Sequence, residues 1–291
     1  MLFRQQLAHV HLFLVFIDVE MKRFPILQES MDAFVRALEA DSQADLIVAL
    51  HAEECFEALA QYLIHYSDLF KDQDLSDDAD YAEWEQGLEE HMAKLLDGDI
   101  DPVGDLGKLA LDKLDPEHLR DFLGWFVLRE TSDADVLHAY TKALIGWAEF
   151  MHAEGCLNKS EYLAFTQILA EVGLAAERTA RVSQVLFHFV RSGTGLSPRL
   201  RGQRFSRFVE GHARVSEIEN GFLHFNFENH GEEIGPVVLP QVVLDLIEVG
   251  DVFDVELGLR GDSWVMVDVG PVYPGCVYVE VEEYQGLEKL S

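Results

Sequence analysis

The hydrophobic period of this chain changes once, and that change bounds the folds open to it. From Pro25 to about Arg191, apolar residues recur three and four positions apart, as in Leu46, Leu50, Phe56, Leu59, Leu63, Tyr66 and Phe70. That spacing puts them on one face of a helix. After Arg204 the apolar runs are short, β-branched or aromatic: RFVEGHARVSEIE, GFLHFNF, IGPVVLP, VFDVELGL, SWVMVDV and CVYVEVEE. Turn residues separate them at Asn220-Gly221, His230-Gly231, Gly261-Asp262 and Pro274-Gly275, as expected between strands. Between the two regimes SGTGLSPRLRGQR, residues 192–204, has no apolar period and reads as a linker. The prediction is a segregated α+β chain. An N-terminal all-α helical domain spans 25–191, and a small C-terminal β-barrel over 205–291 has one helical turn or two at PQVVLDLIE.

Punctuation within the helical part agrees. Gly98 ends one run, Asp115-Pro116 opens another, Thr131 to Asp133 opens a third that Gly155 ends, and Asn158 with Glu161 forms a capping box. Roughly seven or eight helices result, without a fixed-period repeat. Residues 1–24 read as an N-terminal extension. HVHLFLVFIDV is apolar but shorter than the ~20 residues of a membrane span, no small-residue cleavage site follows it, and Met21 begins a natural start at MKRFPILQES. A weak signal sequence and an added strand are the alternatives.

With 48% apolar and 11% aromatic residues the chain can build real cores, which excludes disorder as a whole-chain reading. Cys55, Cys156 and Cys276 are an odd number, widely spaced and without a CxxC pair, so they read as small apolar residues in a reducing cytoplasm. The charge is the stronger constraint. Against 22 Lys and Arg stand 53 Asp and Glu, a net −31 that repels phosphate backbones and anionic lipid. Twelve acids face Lys94 alone between Asp72 and Asp101, which reads as a solvated loop and helix face, with a docking surface for a basic partner as the alternative. From Arg178 to Arg214 the sign reverses: eight Arg, no Lys and only Glu210 as an acid. Arg pairs bidentately with carboxylate or phosphate, so Arg199, Arg201, Arg204 and Arg207 address either the acidic helical domain beside them or an external polyanion. Phe205, Phe208, Phe222, Phe225 and Phe227 follow as either stacking faces or ordinary barrel core.

Catalytic motifs are missing: there is no G-x-S-x-G, P-loop, G-x-G-x-x-G after a strand or H-E-x-x-H. Glu149 with His152 is the one Glu-x-x-His pair and the leading metal-ligand candidate, whereas a di-iron bundle needs two such pairs. Asp115 with His118, Asp135 with His138, and His51 with Glu54 and Cys55 are weaker substitutes.

Two stretches resemble known families. VVLPQVVLDLIEVGDVFDVELGLRGDSWVMVDV, residues 237–269, resembles the swapped-hairpin module of AbrB-like transition-state regulators: strand, Leu-Pro at Leu239-Pro240, short helix, Gly250-Asp251 turn, strand. The family's basic DNA-contacting positions are not matched, since Gln241 follows the proline. TSDADVLHAYTKALIGWAEFMHAEGCL, residues 131–157, resembles part of the helical core-binding domain of tyrosine recombinases, but no Arg/His/Arg/Tyr catalytic domain follows. The expectation is a non-enzymatic cytoplasmic interaction protein that binds a protein partner, with no cofactor and no membrane contact. A nucleic-acid-associated accessory protein using the Arg-rich hinge is the alternative, and a helical metalloprotein or enzyme the third reading.

Overall fold

The computed structural model describes residues 24–67, 69, 106–192, 204–227 and 233–279. The extension, the acidic run 72–101 and linker residues 193–203 lie outside them. Helices occupy the N-terminal part and a mixed sheet the C-terminal part, an α+β arrangement.

Helices α1 (Leu27–Ala40) and α2 (Leu46–His65) pack on α5 (Ala134–Ala153), with α3 (Pro116–Asp121) and α4 (Val127–Glu130) joined by a π-helical turn over Phe122–Phe126. Their starts are chemically fixed. Asp45 accepts the Ile47 N–H, Asp115 that of Glu117 and Asp133 that of Asp135, each at 2.9 Å, satisfying N–H groups that have no partner in a first turn. The apolar stripes meet in one core that holds Trp147, whose Nε1 donates to Ser30 Oγ at 3.2 Å, together with Phe34, Leu59, Leu63, Phe122 and Leu144.

The last helix, α6 (Lys159–Ser192), has 34 residues and is about 50 Å long. Its capping box is present: Asn158 Oδ1 accepts the N–H groups of Ser160 and Glu161, and Glu161 Oε2 accepts that of Asn158 at 2.7 Å. Phe165, Leu169, Val172, Ala176 and Ala180 belong to the helical core, whereas Val182 and Leu186 belong to the core of the sheet. One helix therefore serves two cores, and the cores divide upstream of the linker. At Gly173 a Cβ would lie 2.4 Å from Thr141 Cγ2, so α5 and α6 approach there without room for a methyl group. Gly173→Ala is expected to cost about 1–3 kcal/mol, read as a lower urea midpoint at unchanged slope.

Strands β1 (Arg207–Glu219), β2 (Phe222–Asn226), β3 (Glu233–Val238), β4 (Val252–Arg260) and β5 (Ser263–Tyr273) pair in the order β1-β2-β3-β5-β4, and β4 pairs back onto β1. All pairs are antiparallel except β3 with β5, which is parallel. Asn220 and Gly221 both have positive φ, 51° and 86°, the geometry of a tight hairpin turn. A short helix α7 (Gln241–Leu244) follows Pro240. Phe225, Phe227, Phe253, Val255 and Leu257 fill the interior.

The sequence also predicts a strand in CVYVEVEE. Over the described residues 276–279 the chain forms none; Val277 and Val279 are buried in the helical core instead. Gly124 makes this docking possible, since a Cβ there would fall 2.2 Å from Val277 Cγ2. Alternating valines report burial, and here they are buried in the helical core rather than in the sheet.

Candidate functional site

The three strands β1, β4 and β5 run between two unlike ends. At one end Val252 and Tyr273, which pair directly, join the helical core. At the other, the start of β1, the end of β4 and the start of β5 come together, roughly 25 Å away by strand rise. This far end gathers cations and aromatic rings. Phe205 lies over Gly258, where a Cβ would be 2.5 Å from its ring; the missing side chain makes room for the ring. Phe208 packs against Phe205 with centroids 4.8 Å apart and is 39% exposed. Arg260 Cζ stands 3.8 Å from the Phe205 centroid, and Arg207 Cζ 5.9 Å from that of Trp264, both within cation–π range. Arg204, which precedes Phe205 in the chain, is exposed. Ser206 fixes the approach, its N–H and Oγ both donating to the Leu259 carbonyl.

Next along the same outer face the charge reverses. Glu210 pairs with Glu256, which pairs with Asp268, and His212 pairs with Asp254 one row further. Burial raises the Glu256 carboxyl above its ordinary value, and Glu210 and Asp268 raise it further. Asp254 is also raised, by burial first and by Asp268, against an opposing pull from His212. An acid whose folded pKa is raised resists ionisation in the folded state. Its stabilising contribution is present below the unfolded value and lost as pH rises through the folded one. The sheet is therefore expected to gain stability on mild acidification from neutrality toward the carboxylate range. Glu256→Gln should raise the neutral-pH melting point and flatten that gain, by an amount set by like charges paired across strands, about 0.2–1 kcal/mol each.

The helix–sheet junction is a third polar cluster. Asp251, 1% exposed, receives Arg178 Nη1 at 2.6 Å and Nη2 at 2.8 Å and the Glu248 N–H at 2.8 Å. Arg178 Nη1 also donates to the Leu246 carbonyl at 2.8 Å. A cleft of about 500 Å³ opens beside this pair, lined by Glu171, Arg178, Glu248 and Cys276 among others. Burial raises the Cys276 thiol, which Arg120 partly offsets.

Of the residues singled out from sequence, Arg199 and Arg201 lie outside the described residues, while Arg204 and Arg207 fall at the far end of the sheet. Phe225 and Phe227 are fully buried core, whereas Phe208 and Phe222 are 39% and 38% exposed. Glu149 and His152 are both exposed on α5. His152 Nδ1 donates to the Leu157 carbonyl at 2.9 Å and its ring stacks on Tyr162 at 4.7 Å, so it closes the turn after α5. Among the described residues no three His, Cys, Asp or Glu side chains come together as a metal site, and no helix is long and apolar enough to cross a membrane. Sequence reasoning missed Arg260 as a member of the cluster and Arg178–Asp251 as a pair. The strand alternation that puts Arg260 on the Phe208 face was available; the 73-residue separation of Arg178 and Asp251 left no local trace. No family model, curated protein or solved structure matches the chain.

Proposed function

We propose that this chain is a non-enzymatic interaction protein in which the five strands act as a small β-barrel, binding a protein partner at the end remote from the helices. One observation carries the reading: at the end of the sheet that does not meet the helical core, Arg260 stacks on Phe205, which packs against Phe208 on the outer face, and Arg207 stands over Trp264 on the other face. Arg and aromatic residues dominate the energetics of protein interfaces, because they combine large contact area with directed hydrogen bonds. The helical part holds the opposite end in place through α6 and the 274–279 segment.

The test is affinity capture from a nuclease-treated native lysate with the full chain and with Phe208→Ser. Phe208 is 39% exposed, so its replacement leaves the core intact. A protein recovered by the parent chain and depleted about tenfold or more by the variant supports the reading, since central aromatic contacts are worth ~1.4 kcal/mol or more. Identical recovery by both, or material lost on nuclease treatment, overturns it.

A further inference from the structure

We infer that the groove between α1 and α2 is a second docking surface, and that its occupant is a basic amphipathic helix of about three turns from a protein partner. The groove has a volume of about 370 Å³ and two chemically distinct tiers. Its floor is apolar: Met31 and the half-buried Val35 come from α1, Phe56 and Ala60 from α2, with Leu106 beside them. Its rim is charged: Asp32, Arg36 and Glu39 on α1 and Glu53 and Glu57 on α2, all exposed. Helical spacing produces both tiers. Met31 and Val35, like Phe56 and Ala60, are four residues apart and share a face. Asp32 and Arg36 stand one residue beyond the first pair, and Glu53 and Glu57 three residues before the second, so the charges border the apolar stripes. Along α1 the lining runs from Gln28 to Glu39, about 16 Å at the helical rise, or three turns.

Charge selects the occupant. Four carboxylates border the groove against the single guanidinium of Arg36, and among the described residues no ion pair engages Asp32, Glu39, Glu53 or Glu57. Nucleic acid and acidic peptides are repelled by such a rim. A small amine would meet one carboxylate and leave the apolar floor unused. A helix with Lys or Arg beside a stripe of Leu or Phe fits both tiers, its apolar side chains entering over Met31, Val35 and Phe56 while its cations reach the acids on either side. Peptides recognised in this way anchor through residues at i, i+3 or i+4, and i+7. Met31 lets the floor adjust to the shape of the entering side chain, because a thioether chain is flexible and polarisable. The groove is formed by the first two helices, apart from the sheet, and its occupancy is independent of partner binding at the sheet end.

The experiment is fluorescence anisotropy of the full chain, at about 0.15 M salt, with two labelled peptides of about twelve residues and equal positive charge. One carries Leu and Phe at helical spacing, and the other has Ser in their place. A chain of net −31 attracts any cationic peptide, but only a groove with an apolar floor gains from an apolar stripe. The Leu/Phe peptide is therefore expected to bind about tenfold or more tighter than its Ser counterpart. Glu53→Lys/Glu57→Lys reverses two exposed rim charges and should weaken the Leu/Phe peptide by about tenfold or more. Glu217→Lys/Asp262→Lys, an equal change of charge at exposed positions of the sheet, should shift it by no more than about twofold, since separated charges are screened. Circular dichroism melting confirms that each variant is folded. Equal affinity for the two peptides, equal effects of the two double replacements, or no binding at millimolar peptide overturns the proposal.

Discussion

Replacing Arg178 by Leu while Asp251 stays in place is expected to lower stability by about 3–5 kcal/mol, the usual consequence of leaving one partner of a buried ion pair uncompensated. Asp251 is 1% exposed and takes both guanidinium nitrogens, at 2.6 Å and 2.8 Å. Without Arg178 its remaining support is the Glu248 N–H, too little to hold a carboxylate out of water. The pair also has a mechanical role: Arg178 sits on α6 where the helix passes from one core to the other, and its Nη1 holds the Leu246 carbonyl of the turn that leads into β4. Asp251→Asn, which keeps the shape and removes the charge, should cost less than Arg178→Leu. The double replacement Arg178→Leu/Asp251→Leu should recover much of the loss. Urea unfolding of the three variants, followed by circular dichroism, measures the order. A loss below about 1 kcal/mol for Arg178→Leu would place the pair with exposed bridges such as Lys142–Asp45.

Sequence alone reaches the elements but not their partners. The starts of α3, α5 and α6 are legible because Asp115, Asp133 and Asn158 cap within three residues of themselves, and the β1–β2 turn is legible because Asn220-Gly221 is a local conformational demand. Periodicity says which face of a segment is buried and is silent about what buries it. So Val182 and Leu186 read as the continuation of a helical-domain stripe although they fill the sheet, and Val277 and Val279 read as a strand although they fill the helical core. The basic stretch was legible as charge; that Arg178 turns inward to Asp251 while Arg207 lies at the far end over Trp264 depends on contacts between residues far apart in sequence. Gly124, Gly173 and Gly258 carry the same lesson: each permits an approach by a distant element, and none has the positive φ that marks a local demand for glycine.

The sharing of α6 makes the result of cutting the chain sensitive to where it is cut. A chain beginning at Leu174 keeps Val182 and Leu186, both 0% exposed, and Ser183, whose Oγ accepts the Val272 N–H at 2.8 Å. A chain beginning at Phe205 loses all three. Burial of a Val or Leu side chain is worth about 1.5–3 kcal/mol, so the two apolar residues alone amount to about 3–6 kcal/mol, before Phe189 and Val190, which pack against the same core, are considered. Small domains hold ~5–15 kcal/mol in total, so the shorter chain is left near or below its threshold. The Val272 N–H would also be buried without its acceptor, unless the opened face admits water. Residues 174–291 are therefore expected to melt cooperatively, and residues 205–291 to show a broad transition or none, with poorly dispersed amide resonances. A cooperative transition of 205–291 within a few degrees of the longer chain would make α6 a passive cover and return the boundary to the Gly- and Arg-rich linker. Both chains lack most of the helical core against which Val252, Tyr273, Val277 and Val279 pack; they differ in the half-helix, which carries Arg178, the partner of Asp251, as well as the apolar residues, and in the linker that follows it.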